Sequence, residues 1–379
     1  MTTITGLSAV LHRAPLVRPW GTDVRSTHVI EVVVDCDDGT SGTGLSWTPT
    51  IGARALLALI EDDVRAFVVG RESDARSLWP ALWAHLHEAG SGGLTTMAMA
   101  GVDLALWDRA ARLRSLPLAD HLGRTRDSAP VYGSGVNLHY PIDELVEQVG
   151  RWVAAGHQAV KVKVGRPDLR EDVERIAAVR DMLGPDRRLM IDANQRWDLP
   201  TARRAVAALA PFDLDWIEEP LRAEDTWAYA QLRSAIDVPI ALGENCHTIY
   251  RFRDLIDAGA VDVVQPNVVR VGGITPFLAV AELARAHSLT VAPHLLPELS
   301  GHLALALPEE TWVEDVEDAG FTRLGILSGP AGVVMADGRL RLTGAPGLGL
   351  DFAESVTPGI PAQSEGRTAR DHDLMKESA

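Results

Sequence analysis

Residues 215–244 read DWIEEPLRAEDTWAYAQLRSAIDVPIALGE. Asp215–Glu218 is a short apolar run built on Trp216 and Ile217 and closed by a carboxylate. Helical spacing follows over Glu224–Ile236, and a second apolar run, Pro239–Gly243, stops at Glu244. Strand, helix and strand in that order make one β/α unit.

The same grammar extends both ways. Upstream, Pro130 precedes a strand at Val131–Ser134, and helix Asp143–Ala155 leads to strand Ala159–Lys163. Helix Glu171–Leu183 leads to Leu189–Asp192, and helix Thr201–Leu209 to Asp215–Glu218. Downstream, helix Thr248–Ala258 leads to Asp262–Pro266, and helix Thr275–Ser288 to Thr290–His294. A short helix, Gly301–Leu307, then precedes Thr311–Glu314. Such alternation implies an α/β fold with a parallel sheet and right-handed crossovers. Eight repeats favour a closed barrel of the TIM type over an open doubly wound sheet.

Before about Leu94 the pattern is different. Strands are expected at Thr2–Arg13, His28–Cys36 and Thr40–Trp47, with a hairpin turn at Cys36–Thr40. Helices follow at Ile51–Val69 and Asp74–His87, and a long amphipathic one at Leu94–Leu113. That segregated order is an α+β unit. After the barrel, Gly329–Ala353 carries turn signals and short strands, and the chain beyond Pro361 is polar.

Polar residues fall where the barrel strands end: Lys161 and Lys163, Asp192 and Asn194, Glu218, Glu244, Asn267, His294 and Glu314. From Lys163 the steps to Asp192, Glu218, Glu244, Asn267 and His294 are 29, 26, 26, 23 and 27 residues. A step near 26 is one β/α unit, so each residue moves to the neighbouring strand at the same height. A Glu after a strand is ordinarily a helix cap or a solvated loop residue, and a Lys in a strand ordinarily reaches for water. A set that keeps step with the barrel forms a ring at its C-terminal rim, where barrel active sites lie.

The residue types in that ring define its chemistry. Asp192, Glu218 and Glu244 repel one another unless a cation joins them, and oxygen ligands select a hard ion such as Mg2+. Lys161 and Lys163 share one strand face. Two ammoniums this close, beside a metal, are expected to depress each other's pKa and leave one as a general base. His294 stands across the ring, so a base on either side of a metal-held carboxylate suits removal of the proton α to it.

Composition sets the outer limits. The chain has 379 residues, 46% hydrophobic and 23% charged, and Lys+Arg 36 against Asp+Glu 52 gives 36 − 52 = −16. An acidic protein of this kind lacks the basic stripes that nucleic-acid binding needs. No run of about 18 apolar residues would span a bilayer, and no leader pattern is expected at Met1–Arg13. Cys36 and Cys246 show no zinc spacing and are expected to be free thiols in the cytoplasm.

The segments Lys161-Val-Lys163, Asp192-Ala-Asn194-Gln195, Trp216-Ile-Glu218-Glu-Pro220, Gly243-Glu244-Asn245, Val271-Gly-Gly-Ile-Thr275 and His294-Leu-Leu-Pro-Glu298 together resemble the mandelate racemase subgroup of the enolase superfamily. Ala100-Gly-Val-Asp-Leu-Ala-Leu-Trp107 and Pro346-Gly-Leu-Gly-Leu-Asp351 extend the resemblance over nearly the whole chain. It implies a modified TIM barrel, (β/α)7β, with an α+β capping domain. The organisation expected is a capping domain over 1–125, a barrel over 126–325, a segment over 326–360 returning to the capping domain, and a tail over 361–379. It also implies one Mg2+ per subunit held by Asp192, Glu218 and Glu244, with Lys163 and His294 as acid/bases on opposite faces, as enolase-superfamily sites use a Lys or His base with Mg2+. By the same resemblance Lys161 holds the substrate carboxylate, Glu314 donates a hydrogen bond to the developing enediolate, and Asn194 and Ser134 contact substrate. Loops at Pro15–Thr27 and Gly44–Gly52 are expected to close over the site, with Trp20, Trp47, Arg18 and Arg25 setting specificity. The two arginines would pair a distal carboxylate and so point to a diacid. A homo-oligomer is implied as well.

One position departs from the resemblance. The subgroup pairs an Asp with the catalytic His, and here that position is Asn267, whose amide oxygen is expected to accept the imidazole N–H. Without a negative charge there, His294 is expected to be less basic than usual. A more acidic imidazolium suits delivery of a proton to a leaving hydroxyl, so the expected reaction is dehydration of an aldonate or aldarate to a 2-keto-3-deoxy acid. The alternatives are racemisation or epimerisation of an α-hydroxy acid, and a catalytically retired barrel. Arg270 stands where a lactonizing enzyme would have its lysine, which argues against cycloisomerase chemistry of that type.

Overall fold

The computed structural model describes residues 2–21 and 24–354. Three antiparallel strands open the chain: β1 (Ile4–Trp20), β2 (Val24–Cys36) and β3 (Ser41–Thr48), in the order 1-2-3. The expected loop at Pro15–Thr27 is instead made of the arms of a long hairpin, with Ala14 opposite Thr27, Pro15 opposite Ser26 and Trp20 opposite Val24. Its prolines and charges read as a loop, yet among the described residues β1 pairs only with β2, and an edge strand tolerates residues that donate nothing on one side. The expected Gly44–Gly52 loop likewise lies in β3 as far as Thr48.

β3 lies directly on the helix Leu94–Arg112. A Cβ at Gly42 would stand 2.0 Å from the Ala105 carbonyl, and one at Gly44 2.2 Å from that of Gly101, so only glycine permits this approach. The far side of the helix meets the barrel. Asp103 Oδ2 accepts the backbone N–H of Thr275 at 3.0 Å, and Trp107 Nε1 donates to the Thr275 hydroxyl at 3.0 Å. Trp79, on the helix Ala75–Leu86, donates to the Gly272 carbonyl at 2.8 Å. Two motifs distant in sequence, at 100–107 and 271–275, are thus the two halves of one contact.

The barrel strands are β4 (Ala129–Ser134), β5 (Ala159–Lys163), β6 (Arg188–Asp192), β7 (Leu214–Glu218), β8 (Ile240–Leu242), β9 (Val263–Val264), β10 (Thr290–Val291) and β11 (Val313–Val316). Parallel ladders run in order from β4 to β10, and β11 returns to pair with β4. At the seam between β10 and β11 the Thr311 hydroxyl donates to the Val291 carbonyl. The strands β8 to β10 are shorter than expected, but their chain positions match the sequence reading.

Inside the barrel, Tyr132, Ala159, Met190, Trp216, Ala241, Val263 and Ala292 form a separate buried apolar layer, with Trp312 packed against it. Strand side chains alternate, so the next inward residue on each strand is two positions on. Adding two gives Ser134, Lys161, Asp192, Glu218, Gly243, Gln265, His294 and Glu314. The polar ring is the layer stacked directly on that apolar floor. Asp168, Asp198 and Asp225 have the commoner role of a carboxylate between strand and helix: each accepts a backbone N–H of the helix that follows it.

After the barrel, β12 (Val333–Ala336) and β13 (Arg339–Leu342) form a hairpin whose second strand pairs with the start of β4. Beyond it the Leu348 N–H donates to Asp108 Oδ1 at 2.7 Å, and Phe352 stacks on His12 of β1. The expected tail, 361–379, lies outside the described residues. Cys36 and Cys246 are buried and free. Among the described residues no helix is long and apolar enough to cross a membrane.

Candidate active site

Lys161 Nζ lies 2.7 Å from both carboxylate oxygens of Glu218, 2.9 Å from Glu314 Oε1 and 4.0 Å from Asp192 Oδ2. Beneath it the Tyr132 ring centroid is 5.5 Å away. Lys163, two residues along the same face, donates to Asp192 Oδ2. Across the ring His294 Nε2 is 2.8 Å from Glu244 Oε2 and 3.8 Å from Glu314 Oε2. The Leu295 N–H donates to that same Glu314 oxygen at 3.0 Å. Lys161, Asp192, Glu218, Glu244, His294 and Glu314 are all buried.

Burial opposes the charge on each of these groups, and for Lys161, Lys163, His294 and Glu314 the neighbouring charges outweigh it. Burial alone would lower Lys161 and Lys163, but Glu218 and Glu314 carry the first well above its ordinary value, and Asp192 raises the second. The mutual depression expected of two lysines is therefore outweighed by the carboxylates in contact with them. Burial opposes the charge on His294 too, yet Glu244 turns the net direction upward. Burial would raise Glu314, but Lys161 and His294 hold it well below the usual carboxylate range. Glu218 goes the other way, to about 8, since burial and its neighbours Asp192, Glu314 and Glu244 outweigh Lys161.

Crowded carboxylates of this kind are a cation site by donor chemistry. Glu218, Glu244 and His294 offer ligand atoms within 4.8 Å of one another. Asp192 is not among those three, although it pairs in register with Glu218 on the adjacent strand. Its oxygens are taken by Lys163 and by the backbone N–H of Asn194 at 2.8 Å. The two lysines occupy the carboxylates much as a cation would. The donor set fits a hard divalent ion.

Asn267 does not sit as expected. Its Oδ1 accepts the backbone N–H groups of Val269 and Arg270, at 3.0 and 3.1 Å. Its amide nitrogen therefore faces His294 Nδ1, at 3.1 Å. A neutral His294 then keeps its hydrogen on Nε2, toward Glu244.

Of the remaining expected residues, Ser134 is buried at the end of β4, and Asn194 is exposed, its side chain turned back on Asp192 at 3.3 Å. Trp47 donates its indole N–H to the Thr27 hydroxyl at 2.9 Å. Arg18 lies on the Tyr140 ring and pairs with Glu144 at 2.7 Å, so it is already committed, and Arg25 is exposed. Neither is brought into the ring.

Three residues to which the sequence reading gave no role in the ring support it. Gln265 Nε2 donates to Glu218 Oε2 at 2.7 Å; it lies in the inward register of β9, so the two-residue period could have found it. Glu219, fully buried, accepts from Asn245 and Gln195, and it looks like a duplicate of Glu218 in sequence. Arg270 donates to the Glu244 carbonyl at 3.0 Å and to the Asn245 side chain, with no sequence signal for either. Asn194, Glu219, Leu295 and Leu296, all at strand ends, have left-handed φ of 43°, 38°, 53° and 52°. Strain of this sort concentrates at functional sites.

Comparison with known proteins is consistent across families, sequences and structures. Residues 1–123 match the mandelate racemase/muconate lactonizing enzyme N-terminal domain, and residues 144–356 match the enolase C-terminal domain-like family. The chain is 37% identical to 3,6-anhydro-alpha-L-galactonate cycloisomerase of Streptomyces coelicolor, over 86% of this chain and 89% of that one. It is 38% identical to L-talarate/galactarate dehydratase of Salmonella typhimurium, over 84% and 79%. The crystal structure of L-talarate dehydratase from Polaromonas sp. JS666, complexed with Mg and L-glucarate, superposes with a TM-score of 0.84 at 36% identity, covering 93% of this chain and 96% of that one.

Proposed function

The chain belongs to the mandelate racemase/muconate lactonizing enzyme family of the enolase superfamily, and on that footing we propose that it is a Mg2+-dependent acid-sugar dehydratase. The reaction removes the proton α to the carboxylate of an aldonate or aldarate, passes through an enediolate and expels the β-hydroxyl as water. The observation that carries this reading is the convergence of Lys163 and His294 from opposite sides on the carboxylates of Asp192, Glu218 and Glu244.

The roles follow from the geometry. Asp192, Glu218 and Glu244 would hold the metal, a reading their oxygen donors and their burial support. Mg2+ held there would supply positive charge to neutralise the substrate carboxylate. Lys161 shares that carboxylate, its ammonium fixed between Glu218 and Glu314. Lys163, once deprotonated, takes the α-proton, and the C–H electron pair moves into the bond between the α-carbon and the carboxylate carbon to give the enediolate; as the enediolate collapses, that pair forms the Cα=Cβ bond and the β C–O bond breaks. His294 delivers a proton to the departing oxygen, and water leaves. The enol product tautomerises to the 2-keto-3-deoxy acid. Asn267 orients His294, and Glu314, beside Lys161 and His294, stays assigned to hydrogen-bonding the developing enediolate. Asn194 and Ser134 stay assigned to substrate contact by their places at the ends of β6 and β4.

A second reading is favoured by the identity to a cycloisomerase. The α-proton is removed in the same way, but a ring ether oxygen is the leaving group. Arg270 in place of a lysine therefore does not separate the chain from every cycloisomerase. Two free, buried thiols support a reducing, cytoplasmic location, and we place the enzyme there as a homo-oligomer, which light scattering tests.

The experiment is a panel of aldonates, aldarates and anhydro-sugar acids incubated with Mg2+ in D2O. Loss of water with formation of a 2-keto-3-deoxy acid supports dehydration. Ring opening without loss of water supports the second reading. No exchange of any α-hydrogen removes both.

A further inference from the structure

Apart from the ring, a cavity of about 490 Å3 lies between the N-terminal unit and the barrel. Its walls come from the helices Ala75–Leu86, Leu94–Arg112 and Leu118–Leu122, and Leu278 adds the barrel helix Ile274–Ala286. None of the ring residues lines it, and the proposed reaction gives it no role.

Asp74 is the one carboxylate among the lining residues, and it already caps its helix by accepting the Ser77 N–H at 2.8 Å. Three arginines line the same cavity. Arg109 is committed to Asp38, Thr40 and Ser73. Arg76 and Arg114 are not: among the described residues neither guanidinium has an ion-pair or hydrogen-bond partner, whereas Arg112 and Arg124 nearby pair with Asp108 and Asp120. Arg76 is held in place by Trp107, its guanidinium carbon 5.2 Å from the ring centroid. The same ring meets His121 edge-on, with centroids 5.9 Å apart. His121 registers the two charges: burial lowers its pKa, and Arg114 and Arg76 lower it further. On a chain of net charge −16 this is a local reversal of sign.

Guanidinium N–H groups match phosphoryl oxygens in both geometry and charge. Leu106, Leu113, Leu122 and Leu278 line the rest of the cavity, whose volume is that of a small-molecule site and exceeds what a bare phosphate would fill. We propose that the cavity binds a phosphate monoester of a small organic molecule, with the phosphoryl group on Arg76 and Arg114 and the organic part against the four leucines. Because its walls belong to both the N-terminal unit and the barrel, an occupied site should hold the two together and raise Tm.

The test titrates the full chain, free of Mg2+ and substrate, with phenyl phosphate, inorganic phosphate and benzoate at constant ionic strength, read by calorimetry and Tm. Its outcome is therefore independent of the proposed reaction. Phenyl phosphate should bind most tightly and raise Tm; inorganic phosphate should lose the apolar wall, and benzoate the phosphoryl contacts. Arg76→Ala and Arg114→Ala should each lower the affinity for phenyl phosphate about tenfold, the usual contribution of a charge-assisted hydrogen bond, and Arg76→Lys should lower it less. Both side chains are exposed, so these variants should fold as the parent does. No binding of either phosphate overturns the inference, as does binding unchanged in both alanine variants. Binding lost in Lys163→Ala instead would put the anion in the ring and overturn it too. Inorganic phosphate as tight as phenyl phosphate overturns the organic part, and benzoate as tight overturns the phosphoryl part.

Discussion

Asn267 points its amide nitrogen, not its oxygen, at Nδ1 of His294, across 3.1 Å. The orientation is imposed from behind, where the Val269 and Arg270 N–H groups claim the oxygen. An imidazolium at 294 must therefore present Nδ1–H to an N–H2 group, or turn the amide and strand two backbone donors. Glu244 favours the extra proton on His294 and Asn267 opposes it.

Asn267→Asp replaces that opposition with a carboxylate acceptor. The limb of the pH–rate profile belonging to His294 should move to higher pH, because an adjacent anion favours the charged imidazole. Nitrogen NMR of labelled histidine should show the hydrogen transferred to Nδ1. An unchanged profile with unchanged nitrogen shifts would mean that Asn267 does not govern the imidazole.

Lys163→Ala and His294→Ala should each lower kcat/KM by about 10^2–10^4, the usual contribution of one positioned proton-transfer group. Mg2+ binding by calorimetry should survive Lys163→Ala. Retention of full activity in either variant would remove that residue from the proposed pair.

Chelation should abolish turnover and lower Tm, because the buried carboxylates lose the cation their repulsion calls for. Restoring Mg2+ to about 100 times its Kd should return roughly 2.7 kcal/mol of stability. Glu218→Gln should weaken Mg2+ and also cost stability, since Lys161 loses its bidentate partner and keeps only Glu314 and the more distant Asp192. A Tm indifferent to Mg2+ would count against the cation site.

Glu298 offers a pH test away from the ring. Burial raises its carboxyl from 4.5 to about 7, against the Phe321 N–H it accepts. Between those values the folded chain holds a proton that the unfolded chain has released, so stability falls as pH rises through that window. Glu298→Gln carries no such proton. Its unfolding free energy should fall less than the parent's from pH 4.5 to 7, by on the order of 3 kcal/mol. Parallel curves in urea titrations would exclude the effect.

The barrel and the members of its ring were legible because both follow from periods: about 26 residues per β/α unit and two residues per inward side chain. Lys161, Asp192, Glu218, His294 and Glu314 occupy the row those periods require. Orientation and charge were not legible. The tilt of Asn267 depends on where two backbone N–H groups lie after the chain turns, and the lysines' ionisation depends on which neighbour is nearest. The hairpin at Pro15–Thr27 was hidden because an edge strand need not look like a central one.

Gly273 has φ +113°, and a Cβ there would stand 2.3 Å from Asp103 Oδ2, so the long N-terminal helix and the barrel are fitted to each other at atomic range. The N-terminal unit is therefore not an exchangeable part. A chimera that took it from a relative would have to bring residues 271–275 along with residues 100–107. The far end of β1 carries an obligation of the same kind, since Arg18 pairs with Glu144 and lies on the Tyr140 ring, so a graft of that strand would have to bring those two barrel residues with it.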